Sequence, residues 1–224
     1  MRQRGWMFIV TVMFLSLFVT SASAEGGTAG ISLSAGLTPM GGGYAGSGYA
    51  VSGSGGTTYY VTYAPTYYDA YDTGWTGRIE PYYDFHPMIR GQVGVAYNQW
   101  GGNTASGIQF GDLKVTTYYI GVKIRFLPNS TIRPYVVADI GAAKISGVTV
   151  SFAGTPGSYQ YWNSTTTAFL DIGGGVEFKI APKVSFFLDT RVQATGEPDS
   201  ARSPYSDADG IGSIPITAGV NFTF

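Results

Sequence analysis

The last eleven residues, 214–224, alternate apolar with small or polar side chains and stop on a phenylalanine. Side chains of a strand point to opposite faces in turn, so Ile214, Ile216, Ala218, Val220, Phe222 and Phe224 share one side. Pro215, Thr217, Gly219, Asn221 and Thr223 share the other. Seven further segments carry a similar parity. Residues 29–39 set Ile31, Leu33, Ala35 and Leu37 against Ser32, Ser34, Gly36 and Thr38. Residues 75–85 set Trp75, Ile79, Tyr83 and Phe85 against Arg78, Glu80, Tyr82 and Asp84. Residues 88–100 oppose Ile89, Val93, Val95 and Tyr97 to Arg90, Gln92 and Asn98, and residues 114–126 oppose Tyr118, Ile120, Val122 and Ile124 to Tyr119, Gly121, Lys123 and Arg125. Segments 133–144, 166–180 and 184–194 complete the set, with Tyr135, Asp139, Asp171, Glu177, Lys179, Asp189 and Arg191 on their polar faces. The pattern predicts eight strands, each apolar on one face.

The connections alternate as well. Those after the second, fourth and sixth strands are short, at His86-Pro87, around Pro128-Asn129-Ser130 and at Ala181-Pro182, as turn residues dictate. Those after the first, third, fifth and seventh are long, roughly residues 40–74, 101–113, 145–165 and 195–210. An even number of strands of about ten residues, with short turns at one end and long loops at the other, predicts an all-β fold: a transmembrane eight-stranded antiparallel up-and-down β-barrel. Both termini then fall at the short-turn end. The rival architecture, an exported soluble sandwich, would have to bury the apolar faces of all eight strands between two sheets.

The amino terminus bears on the compartment. Arg2 and Arg4 precede a fourteen-residue apolar run, residues 6–19, and Ala22-Ser23-Ala24 follows as a small-residue cleavage pattern. The run is shorter than the roughly 20 residues a spanning helix needs. Residues 1–24 are therefore expected to be a cleaved signal peptide, leaving a single barrel domain over residues 25–224. Without Arg2 and Arg4 the 13 basic residues fall to 11 against 14 acidic ones, which gives no reason to expect a nucleic-acid partner. The chain has no cysteine, which excludes disulfides, thiol chemistry and a lipid anchor on cysteine. A closed barrel in lipid, with its backbone groups paired, supplies stability by another route.

The polar faces carry the candidate chemistry. Arg78, Arg90, Lys123, Arg125, Lys179 and Arg191 face Glu80, Asp84, Asp139, Asp171, Glu177 and Asp189 across the expected lumen, six charges against six. An eight-stranded barrel has room for its own side chains or one small ligand, and buried charges there must pair. Three uses are open: a plug of salt bridges, a narrow ion path through a network that rearranges, or a catalytic pair among the carboxylates.

Enzymatic readings meet a shortage of residues. The single histidine, His86, lies in the turn before Pro87, at the end opposite the long loops. A histidine-dependent hydrolase needs its base within hydrogen-bond reach of the nucleophile, so no catalytic site is expected. A histidine-rich metal site is impossible. Asp199, Asp207 and Asp209 read as a solvated acidic loop rather than a calcium site, and no cofactor is expected.

The first long loop is glycine-rich over residues 41–48 and then tyrosine-rich, with Tyr59, Tyr60, Tyr63, Tyr67, Tyr68 and Tyr71. Residues 154–163 add further aromatics. Tyrosine with glycine makes adaptable contact surfaces, so these loops are candidates for contact with a surface or host ligand. The alternative is that Tyr59 to Tyr71 extend the first hairpin above the membrane or lie on lipid headgroups.

The segment Arg133-Pro134-Tyr135-Val136-Val137-Ala138-Asp139-Ile140-Gly141, the Gly173-Gly174-Gly175-Val176-Glu177 run and the Val220-Asn221-Phe222-Thr223-Phe224 end resemble the small eight-stranded outer-membrane barrels, the OmpA/OmpX-like and opacity-type porin-family domains. The resemblance covers essentially residues 25–224 and implies the outer membrane of a Gram-negative bacterium, with membrane lipid as the surrounding medium; the oligomeric state stays open, a monomer being the first expectation. It also implies that Val220, Phe222 and Phe224 form the signal read by the barrel-assembly machinery. No wall-binding domain follows Phe224, so the wall-anchoring role of two-domain relatives is not expected. One fold hosts many functions. The expected role is a non-enzymatic surface protein for envelope integrity and loop-mediated contact, with a low-conductance porin as the alternative.

Overall fold

The alternating segments are strands in the computed structural model, which describes residues 27–46, 49–52, 58–61, 65–105, 107–152, 157–201 and 207–224. The expected signal peptide, residues 1–24, lies outside the described residues. In chain order the elements begin with β1 (Thr28–Thr38), β2 (Tyr49–Ser52), β3 (Thr58–Val61), the short helix α1 (Tyr67–Ala70), β4 (Gly74–His86) and β5 (Ile89–Trp100). There follow β6 (Thr104–Ala105), β7 (Ile108–Phe110), β8 (Leu113–Arg125), β9 (Ile132–Ile145), β10 (Val148–Phe152) and β11 (Tyr159–Asn163). The last are β12 (Thr165–Ala181), β13 (Val184–Thr195), β14 (Asp199–Ser200), β15 (Gly212–Ser213) and β16 (Ile216–Thr223).

Eight of these strands close on themselves. Each of β1, β4, β5, β8, β9, β12, β13 and β16 pairs antiparallel with the next, and β16 returns to β1 from Gly30↔Thr223 to Leu37↔Ile216. Closure removes the edges that an open sheet would leave unpaired in lipid. The strand period of 2 then sorts the side chains. Ile120, Ile140, Ile172 and Val192 point outward and are 61%, 62%, 61% and 58% exposed, whereas Arg191 and Lys123 are sealed inside at 1% and 0%. An apolar outer surface running round a whole barrel far exceeds the patch a water-soluble protein tolerates. Its solvent is hydrocarbon.

The long connections are built structures. β10 pairs with β11 on one side and β7 on the other, so parts of the second, third and fourth long loops join in one sheet, ordered β14-β11-β10-β7-β6. In the first loop β2 and β3 form a hairpin. Helix α1 starts at a capping box: the Thr66 hydroxyl accepts from the Asp69 backbone N–H, and the Asp69 carboxylate accepts from that of Thr66. The Asn103 N–H donates to the Ala70 carbonyl at 2.8 Å and the Asp72 N–H to the Gly101 carbonyl at 3.0 Å, which ties α1 to the second loop.

Candidate functional site: the lumen and its cap

The inward faces stack into layers along the barrel axis. Nearest the short turns, the Asp84 carboxylate takes Arg90 Nε at 2.8 Å and Arg125 Nη2 at 2.8 Å. Arg90 also lies flat on Tyr82, 3.4 Å from the ring centre, and Tyr82 Oη meets Thr223 Oγ1 at 2.8 Å beside the chain end. Across this layer, Glu177 pairs with Arg133 at 2.7 Å.

The next layer is organised by Arg191. Its guanidinium reaches Asp139 at 2.7 Å, Asp189 at 2.9 Å, Glu80 at 3.1 Å and Asp171 at 3.7 Å, all with side chains 1% exposed or less. Neutral groups add further partners to these carboxylates. Tyr119 Oη donates to Glu80 at 2.9 Å, Gln92 Nε2 to Asp139 at 2.9 Å and Gln193 Nε2 to Asp171 at 2.9 Å. Thr217 Oγ1 donates to Asp189. Lys123 makes no ion pair within this network; its ammonium stands over the rings of Tyr135 and Phe187, at 4.3 and 5.1 Å from their centres. Glycines make room for this filling. A Cβ on Gly121 would fall 1.7 Å from Asp139 Oδ1, and one on Gly94 would fall 2.4 Å from the Tyr119 ring.

Above the charges the lumen turns apolar. Trp100, Leu113, Val115, Ala143, Ile145 and Phe169 fill it, each at most 2% exposed, and Trp100 Nε1 donates to the Thr38 carbonyl at 2.6 Å. This layer is continuous with a cap of loop aromatics. Trp162 packs against Tyr67 and Tyr71 with ring centres 5.9 and 6.3 Å apart, Tyr71 against Phe110 at 5.8 Å, and Phe110 against Tyr161 at 5.6 Å. Tyr67 Oη donates to the Asp209 carbonyl at 2.7 Å, and burial pushes the hydroxyls of Tyr67 and Tyr71 well above the usual tyrosine range.

Eleven of the twelve charges expected in the lumen lie in or beside these layers. Lys179 does not: it is exposed near the turn after β12, where the register slips between Lys179 and Ala181. Arg133 takes its place. Arg133 shares the parity of Tyr135 and Asp139, which was the available signal, and the count stays at six against six. The tyrosine-rich loop also needs correction. Tyr67 and Tyr71 are 0% and 3% exposed and belong to the cap core, because a ring facing the barrel mouth gains more by burial than by hydration. Tyr68 is exposed at 76%. Tyr59 and Tyr60 lie on β3, and Tyr63 falls outside the described residues. In the third loop Tyr161 and Trp162 are likewise buried. His86 sits in its exposed turn, where Nδ1 accepts from the Met88 N–H at 3.2 Å. Val220, Phe222 and Phe224 follow one another on the outward face at the end of β16, with the Phe224 N–H donating to the Ala29 carbonyl at 2.9 Å.

Among solved structures, Neisserial surface protein A superposes with a TM-score of 0.51 at 18% identity, covering 89% of this chain and 100% of that one. The chain has the fold of the small outer-membrane β-barrels. Ail, the attachment invasion locus protein of Yersinia pestis, is matched at a TM-score of 0.45 and 18% identity over 88% of this chain and 99% of its own. The outer membrane protein AlkL is matched at 0.46 and 12% identity over 87% and 90%. No family model and no curated protein matches the sequence. With the apolar belt and this fold, the strands span a membrane, and in outer-membrane barrels of this kind the long loops face outward and the short turns face the periplasm.

Proposed function

We propose that this outer-membrane barrel is a closed, non-enzymatic surface protein that supports envelope integrity and presents its extracellular loops for contact. The observation that carries this reading is the filling of the lumen. From Tyr82 near the periplasmic turns to Trp162 in the cap, each described layer is occupied by the barrel's own side chains, charged below and apolar above. A solute path would have to displace ion pairs and a dry aromatic layer together. The loops supply the outward face: the β10-centred sheet joins the second, third and fourth in one shape, and Tyr44 and Tyr68 of the first are 55% and 76% exposed. The position of His86, at the periplasmic turn and away from the loop carboxylates, supports the absence of a histidine-dependent hydrolase. Val220, Phe222 and Phe224, set in a row on the closing strand, suit an assembly signal for the barrel-assembly machinery.

The test is genetic. Cells lacking the chain should become more sensitive to detergent, and both the intact chain and its Tyr68→Ala variant should restore resistance. Tyr68→Ala should at the same time weaken whatever surface contact the intact chain confers. Unchanged detergent sensitivity in the deletion strain would remove the envelope role.

A further inference from the structure

The buried polar atoms without a protein hydrogen-bond partner are concentrated in the lumen, and they form a file. Arg78 Nε, Nη1 and Nη2 are all unpartnered, although the side chain is fully buried and its closest carboxylate oxygen, on Asp171, is 3.7 Å away. Beside it, Thr76 Oγ1, Asn98 Oδ1 and Thr117 Oγ1 are in the same condition. The register explains why they meet: Thr76 pairs with Asn98, Arg78 with Ser34 and Ala96, and Ala96 with Thr117, so small side chains flank the guanidinium. One layer toward the periplasm, Lys123 Nζ and Glu80 Oε2 are unpartnered too.

A buried guanidinium with no hydrogen bond costs several kcal/mol, and native interiors avoid this with protein or ordered water. The mixture of groups selects the occupant. An anion would answer Arg78 but leave Asn98 Oδ1 and Asp171 Oδ1 unanswered; a cation would face a guanidinium. Water both donates and accepts, and needs only two to four polar partners. Just above, Leu113, Val115 and Ile145 offer no polar side-chain atom, and the unpartnered hydroxyl beside Trp100, Thr38 Oγ1, falls short by itself of the two to four polar partners a water needs.

We propose that the lumen holds a file of bound water from the periplasmic charge layer up to Arg78, and that the apolar layer around Trp100, rather than the ion pairs, is the seal. This rests on the closed-lumen reading and locates its gate. The first experiment uses isotopically labelled whole protein folded in lipid bilayers and follows polarisation transfer from water by solid-state NMR. Thr76, Thr117 and the Arg78 side chain should receive it rapidly, and Val115 and Ile145, equally buried, slowly. Transfer to the threonines as slow as to Val115 would overturn the file, leaving a silent barrel still closed. The second compares proton leak through liposomes carrying native protein or Trp100→Ala, each confirmed as folded by heat-modifiable migration. The variant should leak at least tenfold faster. An unchanged leak with hydrated threonines would overturn the seal, and an already leaky native protein would instead overturn the closed-lumen reading.

Discussion

Arg191 gathers Asp139, Asp189, Glu80 and Asp171 around one guanidinium, and its planar fork suits more than one carboxylate where an ammonium would not. Removing one partner from a buried pair costs about 3–5 kcal/mol because the remaining charge is left unanswered. Arg191→Leu should therefore lower the stability of the folded barrel by at least that order. The urea midpoint of the heat-modifiable form would read it, and a midpoint equal to that of the native protein would show that the network is not stabilising. Asp84→Asn, at the rim where its side chain is 12% exposed, should cost less. At this scale the sequence was informative but not complete. Parity placed Arg78, Glu80, Asp139 and Arg191 inside. It could not show that Lys179 reaches solvent past a register slip, nor that Lys123 rests on Tyr135 and Phe187, since both depend on position along the axis and on facing strands.

Elements were more legible than contacts. The barrel strands were readable because one face of each must meet lipid and the other a lumen, and a one-residue slip would exchange the two. The long loops gave no such signal. The short strands β6, β7, β10, β11 and β14 are selected by one another across three loops, and α1 by its capping box and its bonds to the second loop, so no single segment announces them. Tyr67 and Tyr71 looked like contact residues because tyrosine and glycine composition describes a flexible binding loop and a folded cap equally well. The closing strand carries its own prediction. β16 must pair with both β1 and β13 before the barrel is complete. If Phe224 is the assembly signal, Phe224→Ser should sharply reduce heat-modifiable protein in the outer membrane, measured by immunoblot of membrane fractions. Unchanged levels would reject that role.

On the scale of the whole molecule, the fold separates two solvents with two kinds of interior. The outer wall meets hydrocarbon, the lower lumen is polar and balanced in charge, and the upper lumen and cap form an aromatic core of the kind found in a soluble domain. On the proposed reading, that second core makes the barrel a stopper rather than a pore: ion pairs can exchange partners, whereas a packed aromatic layer opens only by moving the loops that carry it. The most direct test is single-channel conductance of refolded residues 25–224 in a planar bilayer. The folded barrel should be silent across the voltages the membrane withstands. Discrete, reproducible openings that change when Glu177 or Arg191 is neutralised would contradict the closed lumen and make the interior charges the lining of a path.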